Sequence, residues 1–207
     1  MLRLVKTALL CMVLAVSGTA YSQTNSQGYN ELNTVIPTAN PDKIEVLEFF
    51  WFGCPHCFRF EPTINEWATT KPDYVDFVRE APPLNPGWLP HSQAYYASQV
   101  LDVTDKFFDA FFHAIHTERK RLNKPEAIAE WAGTLGIDSE LFLKTMNSFE
   151  VDMRIRRAMK LAQSAGIRSV PSMLVNGKYT TSGSVAGSNQ NVIKVINNLV
   201  GQEHTTG

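Results

Sequence analysis

Cysteine is scarce in this chain, with three residues in 207, at positions 11, 54 and 57. A small exported scaffold held together by disulfides needs several spaced pairs, so that architecture is excluded. Charge is also sparse: 19% of residues are Asp, Glu, Lys or Arg, and the formal net charge is −1. Without a basic excess, a general nucleic-acid binder is excluded. Past the first 22 residues no apolar run approaches the roughly 20 residues that cross a bilayer. Internal repeats and low-complexity tracts are missing too, which removes repeat architectures.

The N-terminus has a pattern of its own. Arg3 and Lys6 precede an apolar run over residues 9–16, and Gly18, Thr19 and Ala20 supply small residues for a cut after Ala20 or Ser22. Residues 1–22 therefore read as a cleavable signal peptide, and Cys11 leaves with it. An uncleaved anchor is the alternative, disfavoured by the short run. Without Arg3 and Lys6 the balance is 17 basic against 20 acidic residues, a net charge of −3. The remaining chain of about 185 residues suits one domain, or one domain with an insertion. In an exported protein disulfides persist, so one close pair, Cys54 and Cys57, is there for chemistry or for metal.

The pattern around that pair is α/β. Residues 44–50 form an apolar run of the buried parallel-strand type, after a polar lead-in with a short strand expected within residues 29–35. A helix begins at the cysteines and carries Phe58, Phe60, Ile64 and Trp67, with a kink expected at Pro62. Residues 74–79 alternate and predict the next strand. From His91 to about Phe149 the pattern is helical, with Phe107, Phe108, Phe111, Phe112 and Ile115 at helical spacing. Pro125 suits a first helical position, Gly136 a C-terminal cap and Asp138 an N-cap. A long helix over residues 149–165 stops at Gly166. Asn176 and Gly177 between two short apolar runs predict a hairpin. Ser188 caps a last helix that is expected to end at Gly201.

Two cysteines three positions apart at a helix start have a defined chemistry. The first sulfur meets unsatisfied backbone N–H groups and the positive end of the helix dipole, which favours thiolate. Cys54 is thus the expected nucleophile, and Cys57, one turn on, the buried partner. Pro55 fits a first turn, where a missing N–H costs nothing, and His56 adds charge or a hydrogen-bond donor beside Cys54. Thiolate exists only in the reduced pair, so stabilising it makes the disulfide a stronger oxidant. The alternative is half a zinc site completed by His113 and His116, whose two-residue gap misses the usual spacing.

With these motifs the chain resembles the thioredoxin superfamily, and within it the DsbA family of exported thiol oxidases. The resemblance rests on Glu48, Phe49 and Phe50 before the site, on Cys54, Pro55, His56 and Cys57, and on Val170 and Pro171 ahead of residues 173–177. It implies a thioredoxin-like α/β fold with an inserted all-helical domain: residues 23–85 and 150–207 as the thioredoxin-like part, 86–149 as the insertion. It also implies a cis Pro171 against the cysteines and a Val170 that offers backbone groups to an extended substrate. Glu48 is expected to be buried and to exchange a proton with Cys57, with Arg79 beside it where lysine is the commoner partner. The alternative for Glu48 and Arg79 is a purely structural ion pair. An arginine that holds its charge is expected to keep Glu48 more fully ionised than in relatives. Pro62 is closer to thioredoxins than to DsbA proteins. Trp51, Phe52 and, more weakly, Trp88 are candidates for an exposed apolar rim, with core packing the commoner fate of at least one of the first two.

The implied function is donation of the Cys54–Cys57 disulfide to newly exported polypeptides in a bacterial periplasm. No cofactor beyond the cysteine pair and no metal is expected. A DsbB-type, quinone-linked membrane oxidase restores the disulfide, and the expected form is a monomer. The rivals are an isomerase or reductase of the same superfamily and a non-catalytic peptide-binding module with a structural disulfide. Dimeric isomerases carry a separate dimerisation domain, for which the span before Ile44 leaves no room.

Overall fold

A computed structural model describes residues 27–206. The expected leader, with Cys11, lies outside the described residues. Strand β1 (Asn30–Glu31) is all that forms of the strand expected within residues 29–35. Strand β2 (Ile44–Phe49) is buried at every position, as a strand covered on both faces must be. Helix α1 (Pro55–Thr70) leads from it to strand β3 (Val75–Glu80), which pairs with β2 in parallel and sets Glu48 beside Arg79. The buried residues of α1 are Cys57, Phe60, Glu61, Ile64 and Trp67, one stripe at steps of three and four. Pro62 lies inside α1 without ending it.

On its other side β2 pairs antiparallel with β4 (Ser172–Val175), which turns into β5 (Tyr179–Thr181) and then meets β1. The order across the mixed sheet is β1-β5-β4-β2-β3. At the hairpin turn Asn176 and Gly177 have φ of 50° and 64°, the pair of positive values that this tight turn requires. A Cβ on Gly177 would stand 1.9 Å from the Ile36 carbonyl oxygen, so only glycine fits.

Between β3 and the return to the sheet come α2 (Leu89–Val100), α3 (Thr104–His116), α4 (Pro125–Thr134) and α5 (Ser139–Met146), followed by α6 (Phe149–Ser164). Their interior is aromatic: Phe107, Phe111, Phe112, Phe142 and Trp131 share one buried cluster. Phe50 and Phe52, just past β2, belong to that cluster as well. The segment leading to the cysteines is therefore clamped from the helical side, with Phe52 within 4.8 Å of both Phe111 and Phe112 by ring centroid.

A short helix α7 (Gly183–Ala186) precedes α8 (Asn189–Thr206). Ser188 caps α8 by accepting from the Asn191 N–H. The expected stop at Gly201 does not occur, and α8 continues to Thr206. Glycine inside a helix costs about 1 kcal/mol. Beyond it, Glu203 accepts from Asn176 Nδ2 and Lys178 Nζ, and the His204 ring stacks on Tyr74 at 3.9 Å. These anchors outweigh the glycine.

Candidate active site

Cys54 is the N-cap of α1, with φ −83° and ψ 115°. Its Sγ accepts the Cys57 N–H at 3.4 Å. Pro55 occupies the first helical turn, where its lack of an N–H leaves the cap intact. Both cysteines are free thiols. Cys54 retains 7% of its surface and Cys57 none, so only the first sulfur meets an incoming group. Across the chain, Cys54 Sγ donates to the Val170 carbonyl at 3.5 Å, and the Val170–Pro171 peptide is cis.

The two thiols titrate in opposite directions. Cys54 is lowered to about 6. The Cys57 thiol donating to its sulfur is the largest cause, and burial opposes it. The N–H groups of Cys57 and His56 follow, and the His56 charge comes last. Cys57 is pushed far up, chiefly by burial and then by its hydrogen bond to Cys54 and the Cys54 charge. The His56 ring itself lies outside, its Nδ1 accepting from Arg59 Nη2 at 2.9 Å.

The sequence model of the DSBA-like thioredoxin domain matches residues 88–190, a span that begins past the cysteines. The thiol:disulfide interchange protein DsbA of Azotobacter vinelandii is 44% identical over 178 residues, covering 86% of this chain and 83% of its own. Its Pseudomonas aeruginosa counterpart is 39% identical over 206 residues, covering 98% and 97%. The crystal structure of P. aeruginosa DsbA superposes with a TM-score of 0.82 at 39% identity, covering 86% of this chain and 93% of that one. DsbA from Xylella fastidiosa gives 0.81 at 28% identity, covering 86% and 96%.

The chain belongs to the DsbA family. It is a thiol:disulfide oxidoreductase with the thioredoxin-like fold and helical insertion that the motifs imply. As in the sequence-based expectation for a DsbA-family site, Glu48 is fully buried and lies close enough to raise Cys57 further by its charge. Arg79 Nε donates to Glu48 Oε2 at 2.9 Å. Burial nonetheless wins, and the Glu48 carboxyl lies above its ordinary range despite the opposing Arg79 charge. Arginine holds its charge, but the dry strand interior costs the carboxylate more than that charge returns.

Sequence reasoning missed Glu61. Its Oε2 accepts from Arg79 Nη2 at 3.1 Å, and the same nitrogen donates to Asn65 Oδ1 at 2.6 Å. Burial, with the Glu48 charge second, raises Glu61 to about 8. Oε1 of both acids is buried without a hydrogen-bond partner, a setting that disfavours the charged carboxylate in each. The available signal was position: Glu61 falls four residues after Cys57 on the buried stripe of α1.

The rim is also sorted. Phe52 is core rather than surface. Trp51 is half-buried and stacks on Trp88, with centroids 4.4 Å apart and planes at 5°. His116 Nε2 donates to the Phe52 carbonyl at 2.7 Å, while His113 pairs with Glu118. These histidines do not converge on the cysteines, and no group of three or more His, Cys, Asp or Glu among the described residues could hold a metal ion.

Proposed function

We propose that the chain donates the Cys54–Cys57 disulfide to newly exported, unfolded or partly folded polypeptides in the periplasm. A substrate thiolate attacks Cys54 Sγ, the Cys54–Cys57 bond breaks, and Cys57 leaves with the electron pair. Cys57 takes up a proton, with Glu48 as its nearby acid. A second substrate thiolate then attacks the substrate sulfur of the mixed disulfide and expels Cys54 as thiolate. Two electrons pass from the substrate dithiol to the cysteine pair, which is the whole redox group. A DsbB-type, quinone-linked membrane oxidase takes them on, and the working form is a monomer.

The observation that carries this direction is the Cys54 thiol lowered to about 6. At pH 7 about nine-tenths of it is thiolate. That stabilises the reduced pair, and a low-pKa thiol also leaves readily. A reductase or isomerase gains less from such a bias. Val170, whose carbonyl already receives Cys54 Sγ, is the backbone ledge on which an extended substrate lies beside Pro171. Periplasmic placement is supported by the signal-like leader in the sequence. Among the described residues no helix is long and apolar enough to cross a membrane.

The test is oxidation of a reduced, unfolded test protein by the pre-oxidised chain. Wild type restores native disulfides in stoichiometric amounts and Cys54→Ser does not. Equal refolding by both would leave only a peptide-binding module.

A further inference from the structure

One groove contains Val170 and another begins at Arg168, two residues before it, and their chemistry differs. One, of about 390 Å³, includes Val170 and Pro171 and is otherwise walled by His56, Ser169, Ser182, Ser184, Ser188 and Asn189 with Gly183. It offers hydroxyls and an amide, with no carboxylate, lysine or arginine. The other, of about 570 Å³, has an apolar floor of Leu84, Ile155, Met159 and Ile167. Its rim carries Arg156, Lys160 and Arg168, and no acidic residue lines it.

The basic groove lies a short step along the chain from the reactive site. Arg168 lies two residues before Val170, a span of at most about 7 Å of extended chain. Leu84, Ile167 and Val170 pack against the same small core of Leu47, Phe49 and Leu174. Arg156 is held by Asp152 at 2.8 Å, whereas Lys160 and Arg168 have no ion-pair partner among the described residues. Glu45 and Glu80 lie in a separate groove on the other side of Lys160, where Arg157 shares the lining. Met159 remains 40% exposed on the floor, an apolar side chain open to a partner.

We propose that this groove is a second docking subsite for the substrate polypeptide. It takes acidic and apolar side chains on one flank of the reacting cysteine, while the hydroxyl-lined groove takes the other flank without a charge preference. The inference rests on the disulfide-donor reading and names its preferred substrates. Lys160 and Arg168 are exposed, so their effect lies in encounter rate and is screened by salt. The apolar floor supplies contact area for a leucine or phenylalanine between the acids.

The test uses oxidised enzyme and excess synthetic peptides with a single cysteine, following loss of the enzyme disulfide. One peptide carries Glu-Leu-Glu before the cysteine, one carries it after, and a third carries Gln-Leu-Gln on both sides. One acidic placement, and only one, should react about 3- to 10-fold faster than the neutral peptide at low salt. That advantage should vanish in 0.5 M salt, on the order of a 4 Å Debye length. In K160E/R168E the ratio of acidic to neutral rates should fall below one. Equal rates for both acidic placements, no advantage for either, or an advantage that survives the double charge reversal would overturn the subsite. Failure of every peptide to reduce the enzyme would instead sink the disulfide-donor reading.

Discussion

The Cys57 N–H meets the Cys54 sulfur at 3.4 Å, so the partner that Cys54 releases on reduction is also the residue whose backbone stabilises its thiolate. One helical turn thus couples the leaving group to the nucleophile. The coupling exists only when the pair is reduced, because a disulfide has no thiolate to stabilise.

A pH dependence of the redox equilibrium follows. Folded, Cys54 titrates near 6, against an ordinary thiol value near 9. Between these limits, reduction of the enzyme disulfide by two glutathione thiols releases one proton. The equilibrium constant for reduction should rise about tenfold per pH unit from pH 6 toward pH 8.5 and flatten below 6. Equilibration with glutathione mixtures at several pH values checks this. A flat profile across that window would contradict a stabilised thiolate.

Glu61 gives a stability signature of opposite sign. Its folded pKa is raised from 4.5 to about 8. A raised carboxyl contributes stability that is fully present below the unfolded value and lost as pH climbs through the folded one. Glu61→Gln should therefore grow more favourable relative to wild type between pH 4.5 and 8. Urea unfolding at pH 5 and pH 8 reads the difference, and an equal effect at both would place the proton elsewhere.

Glu48→Gln separates proton exchange from charge pairing. The amide keeps the shape and can hydrogen-bond but cannot exchange a proton with Cys57. Turnover in dithiol oxidation should slow about tenfold or more, with Cys54 still the residue first alkylated. Unchanged turnover would reduce Glu48 to a structural ion-pair member.

Phe52 ties the site to the helical block. It is fully buried and within ring-contact distance of Phe107, Phe108, Phe111 and Phe112. Truncation to alanine should cost about 3–5 kcal/mol of unfolding free energy. Trp51→Ala, at the half-buried neighbouring position, should cost clearly less. Denaturant midpoints of the two variants decide it.

What was legible in the sequence was what depends on short-range chemistry. The cysteine pair, the helix start at Pro55, the Asn176–Gly177 turn and the strand at residues 172–175 all declare themselves within a few residues. The pairing of Glu48 with Arg79 came from the family resemblance, and the parallel register of β2 and β3 sets the two side by side. Glu61 was not legible, because an acid on an amphipathic helix ordinarily faces water. Its burial depends on Arg79 reaching back from β3 to α1. The fate of Phe52 depends on four phenylalanines more than fifty residues away. Gly201 misled because the contacts that carry α8 past it come from the β4–β5 turn and from Tyr74. The unlike grooves beside Val170 are assembled from separate segments and leave no local motif.

The most direct measurement of the central claim is a pH titration of Cys54 in the reduced protein, by thiolate absorbance or by alkylation rate. A single transition near pH 6 is expected, belonging to Cys54, with Cys57 silent through the alkaline range. A midpoint above 8, or Cys57 ionising first, would contradict the reading of this chain as a disulfide donor.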